Sequence, residues 1–166
     1  ISYGKSTISE LEISYTVNET STMSFRISCD DFAAQYLVNE NLILVDNNET
    51  YIIKGVKLED NDDVPSYVIE CEHEFGVLKD KQLPKLEYVA ETVSTLVNRV
   101  LEGTNFSFTG TDIPNDKLRH LYVDSGDSVF SGLVQIANNF SENARLKFET
   151  FELPTVGTVR GVGIYI

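Results

Sequence analysis

The chain contains no tryptophan, one methionine, two cysteines, two histidines and four prolines in 166 residues. Two cysteines, Cys29 and Cys71, are too few for a disulfide scaffold, and no CxxC or Cys/His cluster offers the spacing of a zinc site. Two free, buried thiols are the expectation. Basic residues are also scarce: 13 against 26 acidic ones, for a formal net charge of −13. A protein that grips duplex nucleic acid uses Lys and Arg to displace phosphate counterions, and docking on an anionic membrane needs the same groups. Both modes are therefore disfavoured. No apolar run approaches the roughly 18–20 residues that span a bilayer, and no basic segment followed by an apolar one suggests a signal peptide. The glycines form neither GxGxxG nor GxxxxGK[ST], so nucleotide binding has no support.

What remains is an ordinary globular composition, 42% apolar and 23% charged, enough for one domain or two small ones. The first residue is Ile1, and a fragment of a longer protein is the expectation. Leu11, Ile13, Tyr15 and Val17 alternate with polar residues, as do Met23, Phe25, Ile27 and Cys29 after a polar turn. This predicts a β-hairpin over residues 8–29. Asp30 and Asp31 can cap a short helix over 32–38. Strands follow at 42–45, 51–56 and 65–75, separated by turn-forming segments at 46–49 and 60–63. In the last strand Tyr67, Ile69, Cys71, His73 and Phe75 face one way, and Val68, Glu70, Glu72 and Glu74 the other.

These elements predict a small antiparallel β-barrel-like domain over residues 1–86, bounded by the polar stretch 79–85. The pattern then changes. Val89, Val93, Leu96, Val97 and Val100 recur at helical spacing, with Gly103 as a stop, and predict a helix over 88–102. Val129, Leu133, Ile136, Ala137 and Phe140 predict another over 127–141, capped by Ser125 or Asp127. Strands are expected at 106–109, 118–123, 146–151 and 156–166. The class is α+β, with residues 87–166 resembling a split βαβ, ferredoxin-like unit: one sheet with two helices on a face.

No arrangement of side chains makes a convincing catalytic site. His73 and Cys71 share the apolar face of one strand, but nothing orients the imidazole or lowers the thiol pKa, so a core or interface role with no metal is expected. His120 reads as a surface residue. The carboxylate pairs Asp30/Asp31 and Glu70/Glu72/Glu74 lack the buried acid that glycoside hydrolysis requires. The Asp60 to Asp63 and Asp46 to Glu49 clusters lack the glycine and terminal Glu of an EF-hand loop. No catalytic, cofactor or metal residue is predicted.

Several segments, taken in order, resemble the N-terminal hub region of phage tail-associated lysins and prophage endopeptidase tail proteins. This group is related to the baseplate hubs of contractile phages and to type VI secretion spikes. The segments are MSFRISCDD, YLVNENLILVDNNETYIIKGV, YVIECEHEFGVLKDK, VSTLVNRVLEGTNFSFTG, DSVFSGLVQIANNFSENARLKFE and GVGIYI. The resemblance implies a structural protein of the virion tail tip, a homotrimer closing the distal tail tube. Its partners would be the distal tail protein ring and the tape measure protein. DNA would pass through without specific binding, no cofactor would be needed, and any peptidoglycan hydrolase or receptor-binding module would lie beyond this segment. In that setting Glu10 and Glu12 on the first strand, or Glu70, Glu72 and Glu74 on the fifth, are candidates to line the lumen. The plainer alternative is that these carboxylates face outer solvent and serve solubility. A cell-wall hydrolase and a carbohydrate-binding adhesin are the competing readings of the chain.

Overall fold

The computed structural model describes residues 7–45, 49–60 and 64–166. Of the turns expected at 46–49 and 60–63, residues 46–48 and 61–63 lie outside these. The chain divides into two compact units, 1–74 and 75–166. The boundary falls before the expected 86/87 division. Phe75, Leu78 and Leu83 are the reason: all three are buried in the second core, Leu78 within a short helix α1 (Val77–Asp80). The stretch rich in Lys and Asp is therefore not a linker. Its backbone is tied to the second unit, with the Leu83 N–H donating to the Asp127 carbonyl at 2.7 Å.

The first unit is a curled half-barrel sheet built from β1 (Ser9–Ser14), β2 (Thr22–Ser28), β3 (Leu42–Val45), β4 (Glu49–Glu59) and β5 (Ser66–His73). The strand order is β1-β2-β5-β4-β3 and every pairing is antiparallel. Alternation puts Met23, Phe25, Ile27, Tyr51, Ile53, Ile69 and Cys71 on one buried face. Asp31 caps the 3-10 turn Phe32–Tyr36, its Oδ1 accepting from the Ala33 N–H at 2.9 Å, and Ala33 and Leu37 pack on that core. Two expectations change. Leu11, Tyr15 and Val17 do not join the core; of the first strand's apolar residues only Ile13 packs there. β5 ends at His73, and Glu74 begins a 3-10 turn (Glu74–Gly76), so the alternation stops one residue before Glu74.

The second unit contains β6 (Leu86–Glu91), α2 (Val93–Leu101), β7 (Phe106–Thr111), β8 (Arg119–Val123), α3 (Val129–Phe140), β9 (Arg145–Leu153) and β10 (Gly157–Tyr165). The α+β class holds. The strands, however, are shared between two small sheets, β7-β10-β9 and β6-β8, where one was expected. Leu86 pairs with Val123 and Tyr88 with Leu121, so β6 and β8 make a ribbon of their own. The expected helix over 88–102 therefore starts at Val93. Val89 lies in the ribbon and is 67% exposed. It alternates with Leu86 and Tyr88, which pack on the second core, and the strand ends before Thr92 caps α2, so its four-residue spacing to Val93 is not a helical one. Ser128, rather than Ser125 or Asp127, caps α3, its Oγ accepting from the Ser131 N–H at 3.0 Å.

The helix pair is the heart of the second core. α2 packs on β6 and β7, α3 on β8 and β9, and the helices on each other. Gly132 makes their approach possible: a Cβ there would lie 2.9 Å from Leu83 Cδ1 and 3.3 Å from Val100 Cγ1. In β10, Val162 and Ile164 are fully buried, while Tyr165 folds over Gly163, where a Cβ would meet its ring at 2.5 Å. The alternating Gly-Val-Gly-Ile pattern is thus one face of core and one face of close approach.

Candidate functional site

The polar face of the first sheet is built by the residues that alternate with its core. Register sets the rows: Glu12 lies opposite Ser24, and Ser24 opposite Glu70; Ser14 lies opposite Thr22, and Thr22 opposite Glu72. Glu12, Glu70 and Glu72 therefore share one face across three adjacent strands. Together with Ser14, Thr22, Ser24 and Lys54 they line an open groove of about 470 Å³. Gly55 on β4 gives Glu70 its place, since a Cβ there would stand 3.2 Å from Glu70 Oε2.

The groups differ in how they are held. Glu72 accepts a hydrogen bond at 2.5 Å from Thr20 Oγ1, a hydroxyl on a buried residue. Lys54 pairs with Glu40 at 3.2 Å. Arg26, on the same face, bridges Glu10 at 3.2 Å and Glu59 at 2.8 Å, and donates to Ser66 Oγ at 3.0 Å. The bonds to Glu10 and Glu59 raise the Arg26 pKa, and those from Arg26 and Lys57 lower that of Glu59. No described residue forms an ion pair with Glu12 or Glu70. The face thus combines a neutralised end around Arg26 with an acidic end around Glu12, Glu70 and Glu72.

The five carboxylates singled out in the sequence do not form one row. Glu12, Glu70 and Glu72 come together. Glu10 sits in a bulge between Ser9 and Glu12 with φ of 52°, and its carboxylate is taken up by Arg26. Glu74 leaves the row altogether: it is 6% exposed, in the turn after β5. A period-two pattern carries no sign of where a strand stops, so alternation alone places Glu74 with the others although β5 ends at His73. Local sequence does not point to Arg26, Lys54 or Thr20, because each belongs to a different strand or turn and meets its partners only through the pairing of the sheet.

Cys71 lies in the first core, where burial pushes its thiol up to about 11; both cysteines are free. His73 is half-buried with its ring edge-on to Tyr51, the centroids 5.1 Å apart. Burial lowers its pKa, against the pull of Glu49 and Glu74. Tyr51 is pushed up to about 12 by burial, and its hydroxyl meets Ser21 Oγ at 3.0 Å and donates to Glu49 at 3.3 Å. His120 is exposed. Among the described residues no group of three His, Cys, Asp or Glu side chains is placed to hold a metal ion, and no helix is long and apolar enough to cross a membrane.

A five-stranded curled sheet followed by a compact helix-and-strand unit is also the arrangement of known tail proteins. Residues 5–73 match the prophage endopeptidase tail N-terminal domain. The fold as a whole is similar to that of the prophage tail protein gp18 from Listeria monocytogenes EGD-e, with a TM-score of 0.65 at 13% identity over 92% of this chain and 43% of that one. The tail protein from Neisseria meningitidis MC58 gives a TM-score of 0.54 at 16% identity, over 85% of this chain and 41% of that one. The E. coli c3393 protein is a component of the type VI secretion system with structural similarity to the T4 tail proteins gp27 and gp5. It gives 0.54 at 14% identity, over 97% of this chain and 48% of that one. The chain spans less than half the length of these three proteins. No curated protein matches it by sequence. The chain thus resembles prophage tail proteins over residues 5–73, and its fold is similar to that of these tail proteins.

Proposed function

We propose that this chain is the hub segment of a phage or prophage tail tip, a structural subunit that closes the distal tube as a homotrimer. It would seat on the distal tail protein ring and meet the tape measure protein from within. The observation that carries this reading is the match of residues 5–73 to the prophage endopeptidase tail N-terminal domain, supported by a tail-protein fold over 92% of the chain. The segment itself is not an enzyme in this reading. Peptidoglycan hydrolysis or receptor binding, if the whole protein has either, belongs to a module outside it.

In such a ring the acidic end of the first sheet faces the bore. Three copies at −13 each carry −39 formal charges. A negative wall repels phosphates, so DNA slides without the counterion release that would hold it. Screening limits this to about 10 Å at 0.1 M salt, so only side chains projecting into the bore act. Glu12, Glu70 and Glu72 are the residues placed together to do so.

Sedimentation of the purified chain, alone and with a distal tail ring, tests the assembly. A trimer, or a ring-bound complex with three copies, is expected; a monomer under both conditions refutes the hub reading. Release of fragments from purified peptidoglycan by this segment would support the hydrolase reading in its place. In a phage carrying the gene, Glu12→Lys/Glu70→Lys/Glu72→Lys should slow genome ejection while tails still assemble. Normal ejection would remove these carboxylates from the bore.

A further inference from the structure

β1 is held to the first sheet in an unusual way. Among the described residues it is an edge strand, paired only with β2. Its pairing is interrupted by a bulge between Ser9 and Glu12, where Glu10 takes a left-handed φ of 52°, a conformation that a residue with a side chain adopts only under local strain. Ile8, Leu11, Tyr15 and Val17, in and beside the strand, are 47%, 58%, 68% and 59% exposed; Ile13 alone packs on the core. What fixes the segment is polar. The Thr7 N–H and Oγ1 donate to Asp31 Oδ2 at 2.8 and 2.9 Å, Arg26 reaches Glu10 at 3.2 Å, and the Tyr15 hydroxyl donates to Glu49 at 3.4 Å. All these bonds are solvent-exposed, where water and salt compete with them.

Removing this segment would strip β2 of its outer backbone partners and the Ser28 N–H of its 3.1 Å bond to Thr7 Oγ1, but it leaves the other three pairings of the sheet in place. Arg26 keeps Glu59 and Ser66 when Glu10 departs. Met23, Phe25 and Ile27 keep β5 as a neighbour, with Phe25 opposite Ile69 and Ile27 opposite Tyr67. Few buried apolar contacts and exposed tethers are the marks of an element that opens well below global unfolding.

We propose that β1 is a releasable edge strand, which leaves β2 while the rest of the first sheet stays folded and so frees the β2 edge to accept a strand from a second copy of this chain. An open edge offers a row of unpaired N–H and C=O groups to any strand of matching register, and the β1 of another copy matches it by identity. Release rests on the structure alone; its use in assembly rests on the hub reading above.

Hydrogen exchange of the whole chain under native conditions tests release. The β1 amides, and the β2 amides bonded to them, should exchange at least about 100-fold faster than those of β5. Equal protection in β1 and β5 overturns the proposal. Assembly is tested by Ser14→Cys/Thr22→Cys in a Cys29→Ser background. These two positions lie directly opposite, and opposed antiparallel residues are about 4.5–5.5 Å apart, within disulfide reach. The oxidised form should assemble at least about tenfold more slowly than the reduced form, with dithiothreitol restoring the rate. Equal rates overturn the use of release in assembly. A reduced chain that stays monomeric instead refutes the hub reading, and the exchange measurement then decides release by itself.

Discussion

Replacing Gly132 by alanine sets two effects of known sign against each other. Alanine is favoured over glycine inside a helix by about 1 kcal/mol. Gly132 lies within α3, so the gain is available in full. Against it stands the approach of α2. The new methyl would lie 2.9 Å from Leu83 Cδ1 and 3.3 Å from Val100 Cγ1. Leu83 presents a flexible tip, but it is 6% exposed and has little room to retreat; Val100 is β-branched and fully buried. Overpacking of this kind costs about 1–3 kcal/mol. The net expectation is destabilisation of the second unit by about 0–2 kcal/mol, a drop in Tm of up to about 8–16 °C for a unit of this size.

The sign of the effect should depend on Leu83. In a Leu83→Ala background the closest obstacle is gone, and Gly132→Ala should then be neutral or stabilising by up to about 1 kcal/mol. Urea denaturation of the four proteins of this cycle, followed by circular dichroism, gives the coupling directly. Gly132→Ala stabilising by the same amount in both backgrounds would mean that α2, α3 and Leu83 do not meet as described.

Two further outcomes follow from the first core. Burial lowers the His73 pKa, so the unfolded chain binds its proton more readily than the folded one. The His73 contribution is complete above the unfolded value of about 6.5 and is lost as pH falls from there through the lowered folded value. Chemical denaturation between pH 7.5 and 5 should show this loss, and His73→Gln should abolish that part of the slope; an unchanged slope refutes the assignment. The Cys71 thiol, buried and pushed up to about 11, should resist a thiol reagent at pH 8 in the native chain, whereas half-buried Cys29 reacts and both react in urea. Fast labelling of Cys71 in the native chain would contradict its place in the core.

Much of the architecture is written in the local pattern. The alternation of Met23, Phe25 and Ile27 and of Ile69 and Cys71 specifies buried strand faces, because side chains of a strand repeat every two residues. The spacing of Val93 to Val100 and of Val129 to Phe140 specifies helices whose apolar stripe must be covered. The α+β class, the strands of the first sheet and the body of both helices all follow from this. Tertiary structure decided the rest. Whether Phe75, Leu78 and Leu83 end one unit or begin the next depends on which core receives them, and local composition carries no trace of that choice. Val89 fits a helix by spacing and a strand by pairing; its partner strand β8 lies some thirty residues away in the sequence. Leu11 and Tyr15 look like core by alternation, yet a bulge and an edge position leave them in solvent. The candidate site shows the same division. Glu70 and Glu72 share a face because two is the period of a strand, but only the register of β1 on β2 and of β2 on β5 brings Glu12 to them, and only the end of β5 at His73 takes Glu74 away.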